Sequence, residues 1–249
     1  MDLNGAVAVV TGGSGGLGGR ICHSLAAAGA KVAVLYDQGR EKAESLVDEL
    51  VTKGSVAEAI HCDVTDPDKV DAMVAQVLTS FGRLDILVND AGYNKWIPFD
   101  DIDALTYEDW NKLIDVNLTG PMLTIKAASR PMKAQGGGRI VNISSVAGIA
   151  PTGSSIGYAV AKSGLIHLTK CMAVGLAPDI LVNCISPGYL EGTKMSTNLA
   201  PKYQKAAVEG SLLQRAADKD DIARQVVAFC ATDSITGQTL AIDSGRVFH

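Results

Sequence analysis

Apolar and polar positions fall along the chain in blocks of two alternating kinds. Ala6–Val10, Lys31–Tyr36, Asp85–Asn89, Arg139–Ile143 and Ile180–Ile185 are short runs dominated by apolar and β-branched residues, which suits strands buried on both faces. Val56–Cys62 and Gln238–Ile242 read as two more. Between them lie segments with helical composition. Arg20–Ala28 stops at Gly29, Arg40–Lys53 at Gly54, and Pro67–Phe81 follows the third strand. Thr106–Gln135 predicts a long helix with a bend at Gly120-Pro121. Ile156–Ala177 is closed by Pro178, and Asp220–Ala231 is the last helix. The stretch 190–208 is mixed and polar, with no clear period. Strand and helix in strict alternation predict an α/β architecture. The expectation is one doubly wound domain over 1–249, with a mostly parallel seven-stranded sheet and helices on both faces. Residues 190–212 form its least regular insertion. No Pro-, Gly- or Ser-rich linker and no internal repeat divides the chain.

Composition narrows the picture. The 249 residues are 47% apolar and 20% charged, with a mean hydropathy of +0.18, which excludes a disordered chain. A net charge of −5 leaves no basic footprint for nucleic acid or anionic lipid, so neither is expected as a partner. No apolar run reaches the ~18 residues of a membrane span. Asp2 and the lack of a basic n-region argue against a signal peptide. The five cysteines are widely spaced with no C-x-x-C, so a reducing cytoplasm is the expected location. The four histidines form no H-x-x-x-H pair, and no metal site is expected.

Six of the 26 glycines fall between Gly12 and Gly19. The string Thr11-Gly12-Gly13-Ser14-Gly15-Gly16-Leu17-Gly18 lies between the first strand and the first helix. Such a turn lets backbone approach a pyrophosphate, and the helix end offers unpaired N–H groups and a positive dipole. A tight strand–helix turn needing small residues is the plainer alternative. Asp37 ends the second strand, 19 residues beyond Gly18, where a carboxylate could bond ribose hydroxyls and would repel a 2′-phosphate. Gly15 brings no compensating charge. NAD(H) is therefore favoured over NADP(H).

Tyr158 and Lys162 are four residues apart near the start of a predicted helix, on one face. A nearby ammonium stabilises phenolate, which would make tyrosine a usable general acid/base. Taken alone, the pair is an ordinary surface pairing. Ser145 follows the fifth strand, at the sheet edge where open α/β folds bind ligands, and could bond a substrate oxygen or cap a turn.

Together these features resemble the short-chain dehydrogenase/reductase family over nearly the whole chain. TGGSGGLG matches T-G-x-x-x-G-x-G. Cys62-Asp63-Val64 resembles the adenine-contacting step, Asn89-Asp90-Ala91-Gly92 the N-N-A-G turn, Pro187-Gly188 the P-G step, and Thr236-Gly237-Gln238 the late T-G-Q. Asn117, Ser145, Tyr158 and Lys162 match the catalytic tetrad. The resemblance implies a Rossmann-type fold and hydride transfer between a nicotinamide cofactor and a carbonyl or secondary alcohol. Tyr158 would be acid/base, Ser145 would hold the substrate oxygen, Lys162 would bond the nicotinamide ribose and depress the tyrosine pKa, and Asn117 would order a relay water. Cofactor contacts would come from Gly12, Ser14, Gly15, Gly16, Leu17, Gly18, Asp37, Cys62, Asp63, Val64, Asn89, Ala91 and Gly92, then Tyr158, Lys162, Pro187, Gly188 and Leu190. Asn94, Trp96, Tyr189 and Met195 would line the substrate pocket. A homotetramer is also implied.

The chain departs from the family pattern in four places. Asp90 replaces the second Asn of N-N-A-G. Gly192 fills the Thr slot after Pro187-Gly188, with Thr193 one later. The segment between Asp233 and Thr236 is short. Gly15 and Asp37 stand where many NADP-using relatives have basic residues. The first functional reading is an NAD(H)-dependent ketone reductase or secondary-alcohol dehydrogenase. A 3-oxoacyl-thioester reductase is the alternative, and Lys194, Lys202 and Lys205 supply only a thin basic patch for an acyl-carrier protein. A non-catalytic cofactor-binding scaffold is disfavoured by the intact Tyr/Lys pair.

Overall fold

A computed structural model describes residues 1–248. Seven strands form one sheet: β1 (Val7–Thr11), β2 (Lys31–Tyr36), β3 (Ala57–His61), β4 (Ile86–Asn89), β5 (Gly138–Ile143), β6 (Ile180–Pro187) and β7 (Thr239–Ile242). Their order is β3-β2-β1-β4-β5-β6-β7, and every neighbouring pair is parallel.

The apolar runs explain this sheet. Along β1 and β2, alternate residues serve opposite faces. Ala8, Val10, Val32 and Val34 pack with α1 (Gly18–Ala27), α2 (Arg40–Thr52) and α9 (Lys219–Ala231). Val7, Val9, Ala33 and Leu35 pack with α3 (Pro67–Phe81), α5 (Gly120–Ala134) and α6 (Ile156–Leu176). Both faces are covered, so unbroken apolar strands are what burial demands. Local signals set the helix ends. The Asp66 carboxylate accepts the N–H groups of Asp68 and Lys69 to cap α3, and Pro67 opens it.

Two features differ from the sequence reading. The predicted long helix 106–135 is three pieces: α4 (Tyr107–Ile114), a π turn at Asp115–Thr119, and α5. The break precedes Gly120-Pro121 rather than sitting on it. Pro121 has no N–H to give the carbonyl of Asn117 four residues back, which disfavours α geometry there. The stretch 190–208 holds two short helices, α7 (Lys194–Thr197) and α8 (Pro201–Glu209). A capping box between Thr193 and Ser196 starts α7.

The chain leaves β1 for one half of the sheet and returns beside it in β4, so the strand order reverses between them. A crevice opens at the carboxyl ends of the strands at such a point. Beneath it runs a buried polar chain. Thr124 of α5 donates to Asn89 Oδ1 at 2.7 Å, Asn89 Nδ2 donates to Asn142 Oδ1 at 2.9 Å, and Asn142 Nδ2 donates to Thr169 of α6 at 3.0 Å. These bonds fix α6 against β4 and β5.

Candidate active site

The crevice is a cleft of about 510 Å³. Its floor at one end is the glycine turn. Gly12 has φ +65°, and a Cβ there would stand 2.9 Å from Ala91 Cα, so glycine is required twice over. Thr11 aligns the facing turn, because its hydroxyl accepts the N–H groups of both Asp90 and Ala91 at 3.0 Å. Among the described residues, no backbone acceptor takes the N–H of Ser14, Gly16 or Leu17. All three residues line the cleft at the start of α1. Unpaired N–H groups at a helix end are the donor set a phosphate needs.

Asp37 lines the cleft at the end of β2. Arg40, the nearest cation in sequence, is turned away, its Nε donating to Glu44 at 2.7 Å. His61 Nε2 lies 4.0 Å from the Asp37 carboxylate, and its ring packs edge-on against Tyr36. This neighbour is invisible in the sequence, since it comes from the adjacent strand β3. Asp63 is drawn into an Asx turn by the Thr65 N–H and hydroxyl, bonds that hold its carboxyl below the usual range.

Ser145, Tyr158 and Lys162 meet at the far side. Ser144 and Ser145 divide cleanly. Ser144 Oγ donates to the Lys162 carbonyl at 2.8 Å, whereas Ser145 accepts the Ala147 N–H at 3.1 Å and lines the cleft. Ser155 caps α6 through the Tyr158 N–H, which sets the turn that carries Tyr158 into the cleft. Lys162 Nζ donates to the Ile143 carbonyl at 2.9 Å and lies 5.8 Å from the Tyr158 ring centre. Burial pushes the Tyr158 phenol up to about 12, against a hydrogen bond with Ser145 that lowers it. Burial likewise pushes Lys162 down to about 8. The expected depression of the tyrosine pKa by Lys162 is therefore absent here. One N–H of the ammonium goes to Ile143, and desolvation of the phenol is the dominant effect.

Asn117 is buried in the π turn. Its amide donates to the carbonyls of Tyr93 and Leu113 at 2.7 and 2.8 Å, and its Oδ1 accepts the Tyr93 N–H at 3.3 Å. Both amide hydrogens are so engaged, so a relay water could bond this side chain only by donating to Oδ1. Gly92 stands between Asn117 and Lys162: a Cβ there would lie 3.2 Å from Asn117 Oδ1 and 3.8 Å from Lys162 Nζ.

Most of the sequence-selected residues line this one cleft: Gly12, Ser14, Gly15, Gly16 and Leu17, Asp37, Cys62, Asp63 and Val64, Ala91 and Gly92, Asn94, Pro187, Gly188, Tyr189, Leu190 and Met195. Four stand behind its wall. Gly18 packs under the glycine turn against the Gly12 carbonyl, the Asn89 side chain belongs to the buried polar chain, Asn117 sits in the π turn, and Trp96 packs on Tyr203 with ring centres 5.3 Å apart. Tyr203 was not among the selected residues. Its hydroxyl accepts the Gly153 N–H at 2.8 Å and pairs with Thr152 at 2.7 Å, so α8 roofs the cleft. Asn94 ties the same roof down, donating to the Met195 carbonyl and accepting from Asn198, both at 2.9 Å.

Comparison with known proteins gives one consistent result. A family model described as short chain dehydrogenase matches residues 6–204. The chain is 38% identical over 250 residues to a 3-oxoacyl-[acyl-carrier-protein] reductase of Synechocystis, covering 98% of each. It superposes with a TM-score of 0.90 on a blue fluorescent protein from a metagenomic library, solved in complex with NADPH, at 34% identity and 100% coverage of both. An NADPH-dependent 3-quinuclidinone reductase from Rhodotorula rubra gives 0.89 at 27% identity, over 98% of this chain and 92% of that one.

Proposed function

The chain belongs to the short-chain dehydrogenase/reductase family, and we propose that within it the protein is an NAD(H)-dependent reductase of ketones, or in reverse a dehydrogenase of secondary alcohols. The observation that carries this reading is the meeting of Ser145, Tyr158 and Lys162 with the glycine turn in one cleft. The donor set fits a dinucleotide. Ser14, Gly16 and Leu17 N–H groups suit the pyrophosphate, and Asp37 suits ribose hydroxyls. Lys162 suits the nicotinamide ribose. When bound, the cofactor supplies the hydride.

The chain's own residues supply the rest. Ser145 orients the substrate oxygen. Tyr158, a phenol held protonated to about 12, donates its proton to that oxygen as negative charge develops on it. A protonated tyrosine at neutral pH is the form that reduction requires. Tyr203 and α8 roof the substrate end. The choice of NAD(H) rests on Asp37 and on the diversion of Arg40 to Glu44. Two structural relatives bear NADPH in their names, and kcat/KM for NADH against NADPH decides the choice here.

A second reading is favoured by one observation: the full-length relative at 38% identity bears the name 3-oxoacyl-[acyl-carrier-protein] reductase. Lys112, Lys194 and Arg246 line the cleft and would receive an acidic carrier or a phosphopantetheine arm. Oxidation of NADH and NADPH, followed at the nicotinamide absorbance, separates the readings. A simple-ketone panel and a 3-oxoacyl thioester, free and carrier-bound, are offered to the enzyme. A carrier-bound substrate preferred by more than about tenfold in kcat/KM would replace the first reading with the second.

A further inference from the structure

Asp90 is the departure from N-N-A-G that the catalytic scheme leaves unused. Thr11 holds its N–H, and its carboxyl turns back onto the glycine turn. Asp90 Oδ2 lies 2.9 Å, and the Gly12 carbonyl oxygen even closer, from the position a Gly18 Cβ would take. The carboxyl thus packs on the first residue of α1 and also lines the cleft. Lys162 and Tyr158 of α6 and Cys22 of α1 are the ionisable groups that face it. β1 and the glycine turn present only the Thr11 hydroxyl and backbone. Among the described residues no cation lies within 4 Å of it to form an ion pair. Lys162, the nearest in charge, donates one N–H to the Ile143 carbonyl.

This arrangement places a carboxyl at the helix end that must also receive a phosphate anion. A neutral Asn would accept the Gly18 N–H without cost to that anion. A carboxylate sets a negative charge beside the same positive helix end that the phosphate would use. We propose that Asp90 couples nucleotide binding to proton uptake, so that cofactor affinity falls as pH rises. The inference rests on the reading of the cleft as a dinucleotide site.

The thermodynamic direction follows from linkage. Burial raises the Asp90 carboxyl to about 7, opposed by Lys162 and the Gly18 N–H. A bound pyrophosphate raises it further, because like charge disfavours ionisation. Affinity is then full below the free-protein value and declines as pH climbs toward the bound-state value.

Calorimetric titration with NADH, in two buffers of different ionisation enthalpy, reads the proton directly. For a one-unit rise on binding, the wild-type protein takes up about 0.4 proton at pH 7, and its Kd weakens about threefold from pH 6 to 7.5. Lys162, at about 8, contributes no more than about 0.1 proton at pH 7. Asp90→Asn is expected to take up less than about 0.1 proton and to hold Kd within about 1.5-fold over that range. Binding with no proton uptake by the wild type, or with equal uptake by Asp90→Asn, would overturn the inference alone. If the variant does not fold, the wild-type profile decides. Uptake centred near pH 7.5 supports Asp90, and uptake centred at or above pH 8 assigns the proton to Lys162 and overturns it. Failure of both NADH and NADPH to bind would overturn the dinucleotide reading, and this inference with it.

Discussion

Tyr203 of α8 and Gly153 are joined by a hydrogen bond of 2.8 Å, from the glycine N–H to the phenol oxygen. The bond ties the roof of the cleft to the segment that leads into α6. Tyr203→Phe removes this acceptor and the Thr152 partner while keeping the ring against Trp96. A lost bond of this kind costs about 1 kcal/mol. The expected result is a KM for the carbonyl substrate raised about three- to tenfold with kcat within about twofold, read from steady-state kinetics. An unchanged KM would show that α8 does not hold substrate.

Cofactor choice turns on Asp37. Among the described residues, no lysine or arginine is paired with it; His61 Nε2 lies at 4.0 Å, and Arg40 is diverted to Glu44. The expected kcat/KM for NADH exceeds that for NADPH by about tenfold or more, a difference of about 1.4 kcal/mol. Asp37→Arg with Gly15→Arg should narrow or invert the ratio. The Gly15 change is the tighter of the two, since its Cβ would stand 3.0 Å from the Gly12 carbonyl. Equal use of both cofactors by the unmodified chain would contradict the charge argument.

Lys162 sets the alkaline limb. Its ammonium is pushed down to about 8 by burial, while Tyr158 stays protonated to about 12. As pH rises through about 8 the lysine loses its charge, so kcat/KM for the carbonyl substrate at saturating NADH should fall with a single slope above that value. A profile flat to pH 9.5 would place the lysine elsewhere in the scheme. Lys162→Met should lose both turnover and cofactor binding.

Assembly is a further expectation. Leu212, Leu213, Leu240 and Phe248 near β7 and the C-terminal segment are exposed, as are Val160 and Val174 on α6. Exposed apolar residues on two separate elements suit a dihedral tetramer with two kinds of self-complementary contact. Light scattering at micromolar concentration should give four times the 25.9 kDa chain mass. A monomer mass would rule the tetramer out.

Legibility in the sequence followed burial. β1, β2 and β4 to β6 carry apolar residues on both faces, so their runs are unbroken and their elements can be read. α8 rests on the cleft and buries only Ala207 fully, so it leaves no periodic signal, and Tyr203 was missed with it. The nearest sign was Pro201 at its first turn, a helix start that the polar surroundings concealed. His61 and Asp37 are neighbours through strand pairing, 24 residues apart, which no local pattern reports. The π turn was displaced for a similar reason. Pro121 marks a break, but Asn117 and its bonds to Tyr93 decide where it falls. Asp90 was visible as a departure from the family turn, while its position against Gly18 required the fold.

Hydride-linked carbonyl reduction with Tyr158 as proton donor is the centre of the account. The most direct measurement is NADH oxidation by the wild type and by Tyr158→Phe on a ketone the wild type reduces, with NADH Kd determined for both. The expected result is a loss of at least ~100-fold in kcat with Kd unchanged within about twofold. Near-wild-type turnover by Tyr158→Phe would contradict it.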